Sequence, residues 1–338
     1  MNDDSDSAAA AHAGGQRAAR ILGVGAYRPN RVVGNEEISK YIDSDDEWIR
    51  SRSGIVSRRF ADAESIPEMA AWSASKALSA AGLAPKDVSC VILATMSYLH
   101  QAPPASAACV AELDAIGAAA FDIGGACAGF SQGLAVANSL VCSGDAEYVV
   151  VAGAERMSDI VDITDRSTAF LFGDGAGAVV IGPSEQAGIG PVVWGSDTAR
   201  LHAIEQSRSF AALKSSSPVP WPYLEMAGPE VFRWAISALA TVARQALAAM
   251  GLGPGDIKAF VPHQANIRII ERVAHDLDLP ASVVVARTVR EDGNTSAASI
   301  PLALDSLCAA GELQPGDLAL LIGFGSGLTY SAQVVAVP

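Results

Sequence analysis

One pattern, Ala77-Leu-Ser-Ala-Ala-Gly-Leu-Ala-Pro-Lys-Asp-Val88, occurs a second time as Ala246-Leu-Ala-Ala-Met-Gly-Leu-Gly-Pro-Gly-Asp-Ile257. The copies share Ala-Leu-x-Ala-x-Gly-Leu-x-Pro-x-Asp and lie 169 positions apart, which is half of this 338-residue chain. Each copy is typical of a helix ended by glycine, a Pro-x-Asp turn and a buried strand, predicted over 88–94 and 257–261. The repeat therefore predicts a chain built from two similar halves.

A second set of segments follows the same order in both halves. A helix over 128–141 leads to a strand over 148–152, and a helix over 296–309 leads to a strand over 318–322. Glycine-rich hairpin signals then close the two halves: Gly173-Asp-Gly-Ala-Gly and Gly323-Phe-Gly-Ser-Gly. Alternating strands and helices in each half predict an internally duplicated α/β fold, with two strand–helix layers packed face to face.

The predicted boundaries divide the chain into a tail over 1–16, a first half over 17–185 and a second half over 186–338. The tail is acidic and rich in alanine and glycine, and it lacks the basic start and apolar block of a signal peptide. We therefore expect a disordered tail and a cytoplasmic protein.

The composition argues against several classes of protein. The formal net charge of −14 disfavours nucleic acid and anionic membranes as main partners. No apolar run reaches the roughly 18 residues of a transmembrane helix. The cysteines show neither a CxxC pair nor a metal-binding spacing, so we expect reduced thiols and no metal site. They are Cys90, Cys109, Cys127, Cys142 and Cys308.

Cys127 lies in the small-residue segment Gly124-Gly-Ala-Cys-Ala-Gly-Phe130, between a strand predicted to end at Ile123 and a helix. The unpaired N–H groups and the dipole of a helix N-terminus favour a thiolate, so the sequence predicts a lowered pKa for this thiol. The flanking glycines allow a substrate to approach the backbone closely. Cys127 is therefore the candidate nucleophile, and the other four cysteines are interpreted as small structural residues.

His263 and Asn294 are the candidate polar partners of this thiol. His263 follows the strand at 257–261, at a sheet edge of the kind where α/β proteins place their sites, and precedes a helix predicted over Ile267–Asp276. Asn294 lies in a turn signal 167 positions after Cys127, so both are predicted at equivalent helix starts. Singly, such residues are often structural. Together they indicate a nucleophile with two partners, of which the neutral amide can donate to an oxyanion without repelling an anionic substrate.

Two other motif interpretations are weaker. Gly125-x-Cys127-x-Gly129 is similar to the nucleophile elbow of a cysteine hydrolase on an α/β-hydrolase fold, but that fold has no internal duplication. Gly173-Asp-Gly-Ala-Gly is similar to a dinucleotide-binding loop, but it precedes a predicted strand instead of a helix. A tight structural turn is the simpler interpretation of the second motif.

Seven short motifs occur in order along the chain: Asp46-Glu-Trp-Ile-Arg-Ser-Arg-Ser-Gly-Ile55, Ala126-Cys-Ala-Gly-Phe130, Asp165-Arg166, Phe172-Gly-Asp-Gly-Ala-Gly-Ala178, Met226-Ala-Gly228, Pro262-His-Gln-Ala-Asn-Ile-Arg268 and Gly293-Asn-Thr-Ser-Ala-Ala-Ser299. In this order the chain resembles the β-ketoacyl-acyl-carrier-protein synthase III (KAS III) family from about residue 19 to 337. Shorter segments outside these motifs, such as Ala154-Glu-Arg-Met-Ser158, are similar to those of actinobacterial members that prime polyketide synthases. The resemblance implies a thiolase fold with five layers in the order αβαβα.

The resemblance also implies roles for the matched positions. Cys127 would take an acyl group from an acyl-CoA, and His263 and Asn294 would hold the malonyl thioester carbonyl during decarboxylation. The backbone N–H groups of Cys127 and Ser326 would form an oxyanion hole. The implied CoA site consists of Trp48, Arg52, Arg166, Gly228, Phe232 and Asn266. An acidic carrier protein would dock on Arg233, Arg268 and Arg272, of which the last two lie four apart on one helix face.

The implied reaction is a decarboxylative Claisen condensation by a homodimer. An acyl-CoA starter and malonyl-acyl carrier protein would give β-ketoacyl carrier protein, CO2 and CoA, without a metal or redox cofactor. Priming of a polyketide synthase is the first interpretation, and initiation of fatty-acid synthesis is the alternative. Acyl transfer to an alcohol or amine is disfavoured by Asn294. The segments 99–106 and 197–223 depart from the family pattern, and both bear on the starter acyl group.

Overall fold

A computed structural model describes residues 17–214 and 218–338. The predicted tail over 1–16 lies outside the described residues. The strands are β1 (Ala18–Tyr27), β2 (Arg31–Gly34), β3 (Ser57–Phe60), β4 (Cys90–Ala94), β5 (Ala119–Ile123), β6 (Val149–Glu155), β7 (Gly175–Ser184), β8 (Val193–Ser196), β9 (Ile204–Gln206), β10 (Leu224–Met226), β11 (Ala259–Pro262), β12 (Val284–Val285), β13 (Leu318–Gly325) and β14 (Thr329–Ala336).

The α-helices alternate with these strands in both halves of the chain. They are α1 (Asn35–Ile38), α2 (Asp46–Ser53), α3 (Ile66–Ala81), α4 (Ala105–Leu113), α5 (Gly129–Ser143), α6 (Phe210–Leu213), α7 (Gly228–Ala249), α8 (Ile267–Asp276), α9 (Val289–Asp292) and α10 (Ser299–Ala309). Single 3₁₀ turns precede α5 and α10, over Ala126–Ala128 and Ser296–Ala298. Each of these turns positions site residues described below.

Two five-stranded sheets have the same topology. The first sheet has the order β5-β4-β6-β7-β1 and the second the order β12-β11-β13-β14-β8. In both, the first three strands run parallel and the last two pair antiparallel. The central strands are almost wholly apolar, as expected where both faces of a sheet are covered. The duplication predicted from the two sequence copies is confirmed.

Helices separate and cover the two sheets. α5 and α10 lie between the sheets, α3 and α4 pack on the outer face of the first sheet, and α7 with α8 packs on the outer face of the second. Three large apolar clusters fill the interfaces between these layers. The order of layers is therefore αβαβα, as predicted.

Local chemistry explains where the repeated helices stop and start. Ser65 and Glu68 form a reciprocal capping box at the start of α3, and Gly82 ends this helix in the left-handed conformation with φ +69°. A 3₁₀ turn over Pro85–Asp87 then leads into β4. The predicted order of helix, glycine, Pro-x-Asp turn and strand is thus confirmed in the first copy.

The structure corrects one of the two predicted hairpins. Gly173-Asp-Gly-Ala-Gly does not form a hairpin, because β7 begins at Gly175 and pairs along its length with β6 and β1. The second glycine-rich signal does connect an antiparallel pair, β13 and β14. No helix among the described residues is long and apolar enough to cross a membrane.

Candidate active site

Cys127 lies in the 3₁₀ turn between β5 and α5, and 8% of its surface is exposed. Gly125 before it has φ +111°, a conformation that residues with a side chain rarely adopt, so the turn favours glycine there. Ala126 follows with φ +46°, a conformation that residues other than glycine seldom adopt. This sharp turn directs the backbone into α5 immediately after the thiol, which is the predicted placement.

The predicted lowering of the Cys127 pKa is wrong for the protein without substrate. Burial raises the pKa of this thiol to about 12, because the surroundings disfavour a thiolate, and the Glu155 carboxyl acts in the same direction. The Ser296 hydroxyl opposes the shift from 3.4 Å away. The helix N-terminus is visible in the sequence, whereas the burial of the thiol depends on tertiary contacts. The thiol therefore needs a proton acceptor when it reacts.

His263 follows β11 and is almost fully buried. Its Nδ1 lies 2.6 Å from Ser299 Oγ, and the Phe324 ring packs against the imidazole with centroids 5.1 Å apart. Ser299 Oγ also accepts the backbone N–H of Gln264, which leaves the hydroxyl proton to donate to Nδ1. This arrangement favours the tautomer with its proton on Nε2. Burial lowers the pKa of His263 to about 3, so the ring is neutral at physiological pH.

Asn294 lies in an extended segment beside residues 171–173. Its backbone N–H donates to Leu171 O, and its carbonyl accepts from Gly173 N–H. The side-chain Oδ1 accepts the N–H of Ser296 at 2.9 Å, so the amide NH2 is left as the free donor.

The predicted equivalence of Cys127 and Asn294 needs correction. The 3₁₀ turns of the two halves are 170 residues apart, and Ala126 and Ser296 share φ +46°. Cys127 is therefore matched by Ala297, whereas Asn294 lies three positions before that match and outside the turn. The two halves contribute chemistry from neighbouring positions, not from the same one.

A small cavity of about 40 Å3 joins the three predicted catalytic side chains. Cys127, His263 and Asn294 all line it, together with Ser326 at the end of β13. A Cβ added to Gly325 would lie 2.8 Å from Cys127 N, so glycine is required for the end of β13 to reach the Cys127 backbone. The predicted oxyanion pair, Cys127 and Ser326, thus lines the same small cavity.

A larger cleft of about 740 Å3 opens beside this cavity and shares Asn294 with it. Every predicted CoA-site residue lines this cleft: Trp48, Arg52, Arg166, Gly228, Phe232 and Asn266. Arg233 and Arg268 line it as well, so its described lining has four arginines and a single acid, Asp165. This local positive charge on an acidic chain suits an anionic ligand.

Aromatic and guanidinium groups stack at one wall of the cleft. The Arg166 guanidinium lies 4.3 Å from the Trp48 ring centroid, and Phe170 meets the same ring edge-on at 5.1 Å. Arg52 also faces Trp48, at 5.9 Å. A nucleobase that stacks between Trp48 and Arg166 would require the Arg166 guanidinium to move away from the Trp48 ring.

The remaining predicted binding residues lie near the starts of α7 and α8. Asn266 caps α8 by accepting Arg268 N–H, and its amide donates to Arg52 O, so it has a structural role as well. Arg268 lies 5.0 Å from the Phe232 ring centroid. Arg272 is exposed, pairs with Asp276 at 2.8 Å and does not line the cleft.

Sequence reasoning missed three polar residues around the site. Ser296 contacts the Cys127 thiol, Ser299 holds His263, and Glu155 lies fully buried at the end of β6. Both serines lie inside the quoted motif that contains Asn294. Glu155 ends an otherwise apolar strand, which is a signal that could have identified it. Among the described residues, no group of three or more His, Cys, Asp or Glu is arranged to hold a metal ion.

Comparison with known proteins agrees with this geometry. Two family models match, 3-oxoacyl-[acyl-carrier-protein] synthase III over residues 121–198 and its C-terminal model over 247–337. A β-ketoacyl-[acyl-carrier-protein] synthase III of Streptomyces glaucescens is 50% identical over 95% of this chain and 96% of its own. Synthase III 1 of Streptomyces coelicolor is also 50% identical, with the same coverage.

Two solved structures share the fold over nearly their whole length. The priming β-ketosynthase of the R1128 polyketide pathway has a TM-score of 0.94 at 46% identity, covering 96% of this chain and 97% of that one. The synthase III of Aquifex aeolicus has a TM-score of 0.87 at 38% identity, covering 94% and 100%. The five-layer architecture is the thiolase fold, and this chain is a condensing acyltransferase that belongs to the 3-oxoacyl-[acyl-carrier-protein] synthase III family.

Proposed function

We propose that this chain condenses an acyl-CoA starter with malonyl-acyl carrier protein and thereby primes a polyketide synthase. The observation that carries the proposal is a buried thiol that shares one small cavity with His263 and Asn294, beside an arginine-lined cleft. The products are β-ketoacyl carrier protein, CO2 and CoA.

The reaction proceeds in two stages. Cys127 first attacks the acyl-CoA carbonyl, and the backbone N–H groups of Cys127 and Ser326 stabilise the oxyanion. CoA then leaves through the cleft, and the malonyl thioester enters by the same route. Loss of CO2 creates an enolate, whose oxygen accepts hydrogen bonds from His263 and Asn294, and its carbon attacks the acyl group on Cys127.

No metal or redox cofactor is required by this proposal. The thioester already activates the acyl group, and decarboxylation supplies the carbanion, so the protein needs only to position the reactants and stabilise negative charge. Incubation of the chain with acyl-CoA and malonyl-acyl carrier protein, followed by intact mass spectrometry of the carrier protein, tests the function. The β-ketoacyl product supports it, whereas hydrolysis to free acid without carbon–carbon bond formation contradicts it.

A third cavity bears on the starter acyl group. It has a volume of about 410 Å3 and shares Met96, Leu224 and Ser326 with the thiol cavity. Its other apolar lining residues include Ile160 and Trp221. Trp221 is held by its indole N–H, which donates to Asp159 O at 3.0 Å. A two-carbon starter would leave this chamber unused, so its size supports a longer starter.

We expect acylation efficiency to increase with starter length. Each buried methylene contributes about 0.8 kcal/mol, or roughly fourfold in kcat/KM, until the chamber is full. Ile160→Trp should narrow the chamber and weaken this preference while acetyl transfer persists. Self-acylation kinetics across acyl-CoA chain lengths measure the effect, with Trp194→Ala, at an exposed tryptophan outside the chamber, as control. A wild-type preference for acetyl-CoA would favour the housekeeping function.

The carrier protein docks at the cleft mouth on Arg233 and Arg268, with Arg272 beside them on α8. A carrier protein is typically acidic and this chain is acidic overall, so a local basic surface must reverse the repulsion. The predicted surface is consistent with the arginines around the cleft, although Arg272 lies outside its lining and is paired with Asp276.

Arg268→Glu should increase the apparent KM for malonyl-acyl carrier protein with little effect on self-acylation by acyl-CoA. Exposed charge pairs contribute about 0.2–1 kcal/mol each, so we expect a two- to fivefold effect that weakens at high salt. Steady-state kinetics at several ionic strengths measure it. Lys86→Glu changes the net charge equally at an exposed site outside the cleft and is the matched control. If Arg268→Glu slowed acyl-CoA loading as much as it impaired the use of malonyl-acyl carrier protein, Arg268 would belong to the CoA site instead.

The proposal includes a homodimer in the cytoplasm. β5 lies at the edge of the first sheet and, within the described residues, pairs only with β4. Phe121 on this strand and the nearby Ile116 are exposed apolar residues. An exposed apolar edge strand is a surface on which a second copy can pair.

A further inference from the structure

The acylation stage leaves one proton without an acceptor. Cys127 is a buried thiol, and it must lose its proton as it attacks the acyl-CoA. In the tautomer that Ser299 favours, His263 already has its proton on the nitrogen facing the cavity, so that nitrogen donates and cannot accept. Another base must therefore receive the proton from sulfur.

Ser296 is the hydroxyl in contact with the thiol. The Cys127 S–H donates to Ser296 Oγ, with the two atoms 3.4 Å apart. Ser296 has φ +46°, a strained conformation for a residue with a side chain, and its N–H donates to Asn294 Oδ1. The turn is thus held in a conformation that places this hydroxyl against the nucleophile.

Glu155 lies behind Ser296 and is fully buried at the end of β6. Its carboxyl accepts from Ser97 Oγ at 2.5 Å, Thr95 Oγ1 at 3.1 Å, Met96 N at 3.1 Å and Ala297 N at 3.4 Å. The Ala297 bond places the turn that carries Ser296 against the carboxyl, and the Ser296 hydroxyl helps to hold the pKa of Glu155 down. No ion pair between described residues includes Glu155, so its partners are neutral donors.

We propose that Glu155 accepts the proton of Cys127 through the Ser296 hydroxyl during acylation. As the sulfur–acyl bond forms, the thiol proton passes to Ser296 Oγ and the original Ser296 proton passes to Glu155. The bond between the acyl carbon and CoA sulfur then breaks, and the same two groups return the proton to the departing CoA sulfur. Atoms and charges balance without any further reactant, and Glu155 ends as a carboxylate. The proposal rests on the acyl-loading stage of the proposed function.

Burial makes the Glu155 carboxylate a stronger proton acceptor. The buried surroundings raise the pKa of Glu155, although the Ser97 and Ser296 hydroxyls oppose the shift. Among the described residues, the titratable groups that line the thiol cavity are Cys127, whose pKa burial also raises, and His263, which stays neutral. A neutral Glu155 beside a transient thiolate therefore keeps the total charge of the site constant during acylation.

If Glu155 has only a repulsive role, its substitution should change the reactivity of Cys127 in the opposite direction. If the carboxylate only repelled a thiolate, Glu155→Gln would remove that repulsion and make Cys127 more reactive at neutral pH. If Glu155 is the proton acceptor, the same variant should slow the reaction, on the scale of about a hundredfold that is typical for loss of a general base. Glutamine keeps the size and an acceptor oxygen, so the variant tests proton transfer more than packing.

The experiment compares Glu155→Gln, Ser296→Ala and Glu155→Asp with the full wild-type chain between pH 6 and 10. One readout is the rate at which iodoacetamide alkylates Cys127, which requires no substrate. The other is single-turnover acylation by acyl-CoA, followed by intact mass spectrometry. We expect the Gln and Ala variants to react about a hundredfold more slowly at pH 7 and to recover at high pH, with the Asp variant between them and the wild type. In mixtures of H2O and D2O, the wild type should show a contribution from two protons.

Several results would overturn the proposal. Unchanged or faster alkylation of Glu155→Gln at pH 7 would assign Glu155 a repulsive or structural role. Equal slowing in Asp174→Asn, which neutralises another buried carboxyl held by Ala61 and Ser158, would indicate a general loss of folding. A wild type that is alkylated normally but never acylated would contradict the proposed function and leave the alkylation test of the relay valid.

Discussion

Replacing Cys127 with alanine should abolish acyl loading and condensation. Without the thiol no covalent acyl intermediate forms, and loss of a nucleophile typically lowers the rate on the order of 10⁶-fold. Peptide mapping by mass spectrometry after acyl-CoA treatment should find the added mass on Cys127 of the wild type and nowhere in the variant. Because His263 and Asn294 stay in place, the variant should still release CO2 slowly from malonyl-acyl carrier protein.

Cys308→Ala is the matched control, since this thiol lies on α10 outside the thiol cavity and its pKa is raised by burial to about 11. The control should load acyl groups at the wild-type rate. An acyl label on another cysteine, with Cys127→Ala still active in condensation, would contradict the assignment of the nucleophile.

His263→Ala and Asn294→Ala should separate the two half-reactions. Each variant removes one donor to the enolate, and a lost oxyanion donor costs about 3–4 kcal/mol, which corresponds to a 10²- to 10³-fold slower release of CO2. Self-acylation should change much less, because the oxyanion of that stage is held by backbone N–H groups. Labelled CO2 release and acylated-enzyme formation, measured separately, check this division.

Asn294→Asp should slow the release of CO2 more than Asn294→Ala does, because a carboxylate replaces a hydrogen-bond donor with a charge that repels the malonyl group. The lowered pKa of His263, about 3, keeps the ring neutral above that pH, so CO2 release should show no titration near the usual histidine value of 6.5. Equal loss of both half-reactions in the alanine variants would show that His263 and Asn294 serve acyl loading as well.

The sequence alone determined the architecture and the three principal candidates. The repeated helix–turn–strand pattern predicted two similar halves because such patterns arise from local rules: glycine ends helices, Pro-x-Asp forms a turn, and continuous apolar runs become buried strands. Two sheets with matching strand order confirm it. Cys127 and His263 were recognisable because each lies at a junction between elements, where small residues and turn signals are visible in the sequence.

The tertiary structure decided what depends on contacts between the two halves. It placed Asn294 three positions before the true match of Cys127, because the two turns align through Ala126 and Ser296, which share φ +46°. It reversed the expected pKa shift of Cys127, because burial depends on neighbours far apart in sequence and outweighs the local helix terminus. It also brought Glu155 of the first half to Ala297 of the second, next to Ser296, and a contact across 142 positions leaves no local pattern in the sequence.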